Sequence, residues 1–300
     1  HRASEDKRHL LHHMVGFLHH RGPDAAGFYQ RGAAGLGHAR LSIIDLNSGD
    51  QPIHNEDQTV WVVYNGEIFN YPELRGDLQF RGHRFYTQTD TEVLVHLYEE
   101  FGASMFEHLN GQFAFAIWDE NKMELLLARD RMGIHPLFYH CAGGRLAFAS
   151  EIKALLADPR LPRRLDRRTL ADIFVCWSNH GDKTAFEAIR QLPPAHYALF
   201  TEAGLEVRPY WDLPAPDGRD DERSIEAACE ELQALRVPVA AVVMALPFVA
   251  GMVTGLAVGF VGTSFPIVLA AVAAVPDAPM RPYVVLAYAF GHLGQMLSPL

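Results

Sequence analysis

The chain has 300 residues, of which 49% are hydrophobic, and its 26 basic and 36 acidic residues give a formal net charge of −10. This length suits one large domain or two smaller ones with a substantial core. The acidic balance and the lack of a basic stripe argue against nucleic acid as a partner. Three scattered cysteines without a CxxC pair indicate a reducing compartment and no zinc site.

The first predicted element is an amphipathic helix over residues 4–20, with an apolar stripe at i, i+4 spacing from Leu10 to Leu18. His9 and His13 share this spacing, as a pair of metal ligands would. No carboxylate or cysteine completes such a set, and a solvated helix face accounts for both histidines. We therefore expect no metal site in the chain.

Two strands are predicted next, along residues 35–44 and 60–64. We expect the second to break at Asn65-Gly66, a dipeptide suited to positive φ and to close approach of the backbone. An amide side chain, a glycine N–H and the carboxylate of Glu67 then offer two donors and one acceptor to a small polar ligand, as an oxyanion hole requires. A plain turn is the more common role of this dipeptide, so the residues alone favour a turn and leave the ligand-binding interpretation open.

Short helices are predicted over residues 71–80 and 90–101, with Asp90 at the N-cap of the second. From Gln112 onward the apolar residues alternate as in strands, and this pattern predicts three hairpins. The hairpins pair residues 113–118 with 123–128, 137–140 with 145–149, and 196–200 with 205–211, and further helices are predicted over 151–157 and 166–177. Antiparallel sheets with segregated helices define the α+β class.

Several motifs together resemble the glutaminase domain of class II glutamine amidotransferases, and specifically its asparagine synthetase branch. They are Arg21-Gly22-Pro23-Asp24, the segments 37–45 and 61–71, Thr89-Asp90-Thr91-Glu92, and the segments 129–137, 149–155 and 209–212. Pro23 favours the synthetase branch over other amidotransferases. The resemblance covers residues 1–213 and implies a four-layer αββα sandwich of the N-terminal nucleophile hydrolase type.

The resemblance also implies a binding site for glutamine. The substrate-binding residues that it implies are Arg40, Ile43, Glu67 and Asp90, and the catalytic ones are Asn65 and Gly66. A guanidinium fork matches a carboxylate, so Arg40 suits the α-carboxylate of glutamine, and the two acids suit its ammonium group or nearby contacts. The Asn65 side chain and the Gly66 N–H would form the oxyanion hole.

The nucleophile of this family is an N-terminal cysteine whose own α-amino group is the base. It is expected several residues before His1, because Cys141, Cys176 and Cys229 stand at unsuitable positions. The chain is therefore expected to recognise glutamine without hydrolysing it. The sequence also contains no ATP-binding loop of the kind found in the synthetase domain of this family, so no cofactor is expected for this chain. ATP and Mg²⁺ are expected only for a separate synthetase domain. His135 stands where the family usually has lysine.

Residues 237–276 and 282–300 contain no charged residue, in contrast to the charged segment 1–236. Because about 20 apolar residues cross the hydrocarbon core of a bilayer, residues 237–300 are predicted to be an apolar, transmembrane helical tail that adds a membrane as a partner. A buried soluble helix is the alternative. Stretches around Pro247, Gly259 and Gly291 also resemble the end of an uncharacterised permease-like membrane family.

The predicted domains are thus a glutamine amidotransferase type 2 domain over 1–213, a linker with a short helix over 214–236, and the tail over 237–300. Three interpretations of the whole remain open. The first is a fragment of an asparagine synthetase-type amidotransferase, whose glutaminase releases ammonia for amide synthesis from aspartate and ATP. The second is a permease-like protein with a non-catalytic glutamine-binding module, and the third a chimeric fusion. Residues 1–236 are expected in the cytoplasm. Residues 237–300 are expected in the membrane if they are a natural part of the protein.

Overall fold

The computed structural model of the chain describes residues 2–41, 49–178, 181–213 and 239–254, together with 268, 269, 272, 284, 286 and 287. The chain divides into two compact units, residues 1–213 and residues 214–300. The described α-helices of the first unit are α1 (Arg2–Gly16), α2 (Tyr71–Phe80), α3 (Glu92–Phe101), α4 (Ile152–Leu155) and α5 (Arg167–Cys176), with a 3₁₀ helix at Gly102–Glu107.

Three sheets are formed by the strands described in the first unit. These strands are β1 (Ala25–Arg31), β2 (Ala34–Arg40), β3 (Ile53–His54), β4 (Val60–Ile68), β5 (Gly111–Asp119), β6 (Glu124–Arg129), β7 (Phe138–Ala142), β8 (Arg145–Ala149), β9 (Arg190–Gln191), β10 (His196–Thr201) and β11 (Gly204–Pro209). The largest sheet has six strands in the order β11-β10-β6-β5-β4-β3, and the smaller sheets are β1-β2 and β8-β7-β9. All pairings between these strands are antiparallel.

The six-stranded sheet is buried on both faces, because alternate side chains of β4, β5 and β6 enter two different cores. On one face, Tyr64, Phe115 and Ile117 pack with the apolar sides of α2, α3 and the 3₁₀ helix. On the other face, Val63 and Ala116 join residues of β1, β2 and β7 in a second core. A third core forms around α4 and includes side chains from α1, β7 and β8. The two smaller sheets thus lie between the large sheet and the helices α1 and α4.

Glycine allows α1 to pack directly on strand β2. A Cβ atom at Gly37 would lie 2.6 Å from Cγ2 of Val15 and 3.1 Å from Cδ1 of Leu11. Only hydrogen fits in that space, so the helix lies close to the strand that ends at Arg40. The position of this strand, and of the arginine at its end, therefore depends on a contact that no larger residue permits.

The three predicted hairpins are confirmed as β5–β6, β7–β8 and β10–β11. The hairpin of β1 and β2, with Ala25 opposite Arg40, was predicted only for its second strand. Helix α5 begins as its sequence indicates, since the Asp166 carboxylate accepts hydrogen bonds from the Arg168 and Thr169 N–H groups at 3.0 and 3.2 Å.

The second unit contains the helix α6 (Val239–Thr254), which has 16 residues and includes Pro247. In the part of the chain that the structure describes, no helix is long and apolar enough to cross a membrane. The predicted transmembrane tail is not supported, because α6 is shorter than the roughly 20 residues that a span needs. The predicted linker, 214–236, and most of 255–300 lie outside the described residues.

Candidate active site

One cavity of about 990 Å³ in the first unit brings together five of the six residues that the sequence implicated. Its lining includes Arg40, Asn65, Gly66, Glu67 and Asp90. The sixth, Ile43, lies outside the described residues. A concave pocket with a few convergent polar groups is the usual form of a small-molecule site.

Arg40 lines this cavity from the last position of β2. Its Nη1 donates a hydrogen bond of 2.6 Å to Oδ1 of Asp50. The two partners are unequally buried, since the side chain of Arg40 is 8% exposed and that of Asp50 is 70% exposed. The carboxylate can therefore turn into solvent, whereas the guanidinium is fixed in place.

The expected break of β4 at Asn65-Gly66 is wrong. The strand continues to Ile68, and Asn65 and Gly66 pair with Ala114 and Phe113 of β5. Gly66 has a φ of 151°, and a Cβ there would lie 2.1 Å from the Gln112 carbonyl oxygen. The glycine allows the two strands to stay paired at a close approach that a side chain would prevent.

The N–H group of Gly66 points away from β5, towards the free edge of β4. Phe113 is the residue of β5 opposite Gly66, and both of its backbone groups bond to Asp130 instead. The Asp130 N–H donates to the Phe113 carbonyl at 2.8 Å, and Oδ2 of Asp130 accepts the Phe113 N–H at 3.3 Å. Gly66 and Phe113 thus form a non-hydrogen-bonded pair of the antiparallel ladder. Among the described residues, none accepts a hydrogen bond from the Gly66 N–H.

Side chains satisfy the backbone groups on either side of Gly66 along this edge. Oε1 of Gln51 accepts the Tyr64 N–H at 2.6 Å, and its Nε2 donates to the Tyr64 carbonyl at 3.1 Å, as a neighbouring strand would. Nε2 of His38 donates to the same carbonyl at 3.1 Å. No local pattern predicted these roles for Gln51 or His38, because both act across long separations in the chain.

Asp90 is 5% exposed and holds the same edge from the other side. Its Oδ2 accepts hydrogen bonds from the Tyr64 hydroxyl at 2.7 Å and from the Ile68 N–H at 3.0 Å. Burial, together with the charge of Asp90, raises the pKa of Tyr64 well above its ordinary value. The expected N-cap role of Asp90 is wrong, because the carboxylate turns towards β4 and α3 begins after Thr91 without a side-chain cap.

Asn65 contacts a loop from another part of the chain. Its Nδ2 donates a hydrogen bond of 3.2 Å to Nδ1 of His135. Burial lowers the pKa of His135, and the positive charges of Arg21 and Arg129 lower it further against the opposing effect of Asp130. The imidazole is therefore neutral, with Nδ1 as the acceptor and the proton on Nε2.

The family model of the glutamine amidotransferase domain matches residues 1–211. The chain belongs to this family. The amidotransferase domain is 38% identical over 217 residues to glutamine-hydrolyzing asparagine synthetase 3 of Bacillus subtilis, a match over 71% of this chain and 35% of that protein. It is 41% identical over 219 residues to asparagine synthetase 2 of the same organism, over 71% and 29%. The chain thus spans about a third of the length of these relatives.

The solved structure of an allosteric regulatory enzyme of purine biosynthesis has a similar fold. The TM-score between the two is 0.50 at 18% identity, and the match covers 94% of this chain and 60% of that one. At this identity the similarity concerns the fold alone. It agrees with the mixed fold of helices and antiparallel sheets described above for the amidotransferase domain.

The cysteines described in the amidotransferase domain do not line the cavity. Cys141 and Cys176 are exposed, on β7 and at the end of α5, and Cys229 lies outside the described residues. Glu67 is exposed at the rim of the cavity, and among described residues its carboxylate has no hydrogen-bonded or ionic partner. The site therefore contains a buried cation, two acids and two candidate oxyanion donors.

Proposed function

We propose that residues 1–213 are the glutaminase part of an asparagine synthetase-type amidotransferase. In this proposal the cavity binds glutamine, and a cysteine nucleophile releases ammonia for amide synthesis from aspartate and ATP on a separate domain. The observation that carries the proposal is the free Gly66 N–H, which lies on the cavity wall beside Asn65 and in the same cavity as Arg40. The layers of helices, large sheet, small sheets and helices support the four-layer αββα sandwich of that enzyme class.

The pairing of Arg40 with Asp50 supports its role as the carboxylate clamp. Arg40 lines the cavity, and the Asp50 carboxylate that it binds is 70% exposed. The α-carboxylate of glutamine is the same chemical group. It replaces Asp50 at Arg40 with little loss, because the displaced carboxylate is hydrated as it leaves.

The ammonium group of glutamine, which shares its α-carbon with the carboxylate, requires acceptors in the same cavity as Arg40. Glu67 offers an unpaired carboxylate at the rim, and Asp90 offers Oδ1, which bonds to no residue that the structure describes. Oδ2 of Asp90 stays bound to Tyr64 and Ile68, so the carboxylate keeps a fixed orientation. Two acids and one arginine together match the zwitterionic end of an amino acid.

Attack on the glutamine amide places negative charge on its carbonyl oxygen. The Gly66 N–H and the second N–H of the Asn65 amide are the donors that we assign to this oxygen. Loss of one such donor typically lowers the rate by about 10²–10³. Cys141 and Cys176 lie away from the cavity, so neither of them is the nucleophile of this proposal.

Calorimetric titration of the full chain with glutamine tests the proposal. Arg40→Lys should weaken binding by at least tenfold, because a lysine cannot reproduce the bidentate fork. Arg31→Lys is the matched control, since Arg31 is 69% exposed in the neighbouring strand. Glutaramate, which lacks the α-ammonium group, should bind more weakly than glutamine. Equal affinity in the two arginine variants, or no binding of glutamine, would contradict the proposal.

A glutamine-binding module without catalysis is the second candidate, and the exposed positions of Cys141 and Cys176 favour it. The two candidates differ once a segment that begins with cysteine is added ahead of His1. An amidotransferase then releases ammonia from glutamine, whereas a binding module releases none. Asn65→Ala in that extended chain should lower the release about a hundredfold if the amide is an oxyanion donor.

A further inference from the structure

A second group of titratable side chains lies outside the candidate active site. It lies where the turn after β3, the loop between α2 and α3, and helix α3 itself meet. Its four members are Glu56, His83, His96 and Glu99, and one ligand atom from each lies within 4.8 Å of the others. His96 and Glu99 are three residues apart on α3, so they project from one face of the helix.

The distances within this group are close to those of a tetrahedral metal site. Nδ1 of His96 lies 3.1 Å from Oε2 of Glu99 and 3.6 Å from Oε2 of Glu56. Nδ1 of His83 lies 3.7 Å from Oε1 of Glu56 and 3.8 Å from Oε2 of Glu99. Four ligands at the usual zinc distances are about 3.3 Å apart along each edge of the tetrahedron. These distances involve both oxygens of Glu56. With one atom from each residue the four lie within 4.8 Å of one another, so side-chain rotations would bring them to coordination distance.

Both imidazoles present their other nitrogen to a further carboxylate. Nε2 of His83 lies 3.1 Å from Oε1 of Glu100, and Nε2 of His96 lies 3.7 Å from Oε1 of Glu92. Histidines that bind a metal usually donate their second ring N–H to a carboxylate in this way, which fixes the ring and its tautomer. The hydrogen bond is formed at His83, whereas Nε2 of His96 faces Glu92 from beyond hydrogen-bond distance.

His96 is fully buried, and its Nε2 has no hydrogen-bond partner at normal distance. Glu92, which faces it, is also fully buried. That carboxylate is held by the Tyr86 and Thr87 N–H groups at 2.8 and 2.7 Å and by the Thr87 hydroxyl at 2.6 Å. A ligand at Nδ1 would place the proton of His96 on Nε2, where Glu92 is ready to accept it.

The charge of this region favours a dication. The carboxylates of Glu56, Glu92, Glu99 and Glu100 surround the two imidazoles. Arg81 pairs with Glu100 at 3.2 Å. The other three carboxylates carry more negative charge than two protonated histidines would balance. Glu56 is 38% exposed, so an ion can enter the group from solvent.

We propose that Glu56, His83, His96 and Glu99 bind a divalent transition-metal ion, with Zn²⁺ as the best match to two imidazoles and two carboxylates. The ion ties the turn at Glu56 and the loop at His83 to helix α3. The same loop leads to Asp90, so the metal stabilises the segment that carries this carboxylate to the cavity. The proposal is independent of the function proposed above.

Titration of the metal-free full chain with Zn²⁺ tests the site, and the visible spectrum of bound Co²⁺ reports its geometry. The wild-type chain should bind one ion at this site, with the intense absorption of tetrahedral Co²⁺. Glu56→Gln and His83→Gln should each lower zinc affinity at least a hundredfold, since loss of an outer partner alone costs about 10–100-fold. Glu56 is partly exposed, so its variant keeps the fold.

Two controls separate this site from other histidines and acids. His9→Gln removes an exposed histidine of α1, and Glu73→Gln removes an exposed acid of α2, so both should leave zinc affinity unchanged. Zinc binding that survives Glu56→Gln and His83→Gln would place the ion elsewhere and overturn the proposal. The absence of stoichiometric binding to the wild-type chain would overturn it as well.

Discussion

The side-chain amide of Asn65 donates to Nδ1 of His135 across 3.2 Å, and this bond fixes which way the amide faces. Nδ2 is the amide atom that faces Nδ1, so the NH₂ group lies towards His135 and the amide oxygen away from it. One N–H of Asn65 remains for a ligand in the cavity. His135 therefore acts on the candidate oxyanion donor without touching the ligand.

His135→Ala should lower kcat about tenfold in a chain that carries the cysteine, with little change in the KM for glutamine. The amide remains but loses its fixed orientation, and a misplaced donor stabilises the oxyanion less than a fixed one. His135→Gln keeps an acceptor for Asn65 and should restore most of the rate. An increase in KM with unchanged kcat would show instead that His135 contributes to binding.

Gly66→Ala should destabilise the chain by at least about 2 kcal/mol. The new Cβ would lie 2.1 Å from the Gln112 carbonyl oxygen and 2.7 Å from Cα of Phe113, both of them backbone atoms of the paired strand. Gly76→Ala is the control, because that glycine lies in α2 with open space around it. It should stabilise by up to about 1 kcal/mol. Denaturant unfolding measures both, and equal effects would contradict the close approach at Gly66.

Tyr64→Phe should lower the free energy of unfolding by about 1–3 kcal/mol, because it removes a buried donor to the Asp90 carboxylate. Glutamine affinity should fall as well, since Asp90 is then held by the Ile68 N–H alone. Tyr86→Phe removes a hydroxyl from a side chain that is half exposed and should cost about 0.5 kcal/mol. Similar losses in the two variants would mean that the Tyr64 hydroxyl does not hold Asp90.

The hairpins were predictable because each carries its signal within a few residues. Strands β5 and β6 alternate apolar residues on both sides of a short polar turn, and local pairing then sets their register. Strand β1 carries no such signal. Its burial alternates only weakly, and Tyr29 is buried in a core to which Trp118 of the six-stranded sheet contributes.

The roles within the site depend on pairings that no local pattern encodes. Asp90 resembled an N-cap because of its position before α3, yet its carboxylate bonds to β4, 22 and 26 residues earlier in the chain. Asn65-Gly66 resembled a turn, yet β5 holds both residues in the ladder. In both cases a tertiary partner decided between two locally reasonable conformations.

Arg129→Lys should destabilise the chain by about 2–4 kcal/mol, because the buried guanidinium serves three backbone carbonyls at once. It donates to the carbonyl oxygens of His135 at 2.7 Å, Leu192 at 2.8 Å and Gly133 at 2.5 Å. A lysine reaches one of these points and leaves buried carbonyls without donors.

Arg131→Lys is the matched control for this variant, since Arg131 is exposed and makes one long bond of 3.4 Å to the Leu109 carbonyl. It should change stability by less than about 0.5 kcal/mol. Thermal or denaturant unfolding of both variants gives the comparison. A small loss for Arg129→Lys would show that the loop around His135 keeps its conformation without the three bonds.

The stability of the chain should fall as the pH decreases from about 6.5 to 4, in part because of His38. Burial, together with the charge of Arg40, lowers the pKa of His38 from 6.5 to about 4 against the opposing effects of its hydrogen bond to the Tyr64 carbonyl and of Asp50. Between these values the unfolded chain binds a proton that the folded chain does not, so protonation favours unfolding as the pH falls. Above about pH 6.5 both states are neutral at His38, and its contribution is constant.

His38→Gln isolates this contribution, because glutamine donates to the Tyr64 carbonyl without titrating. The variant should lose about 1–3 kcal/mol less stability than the wild type between pH 6.5 and 4, measured by denaturant unfolding at each pH. His135, whose pKa is also lowered, contributes equally to both chains and cancels in the difference. Parallel pH profiles for the two chains would mean that the folded state accepts a proton at His38 as readily as the unfolded state.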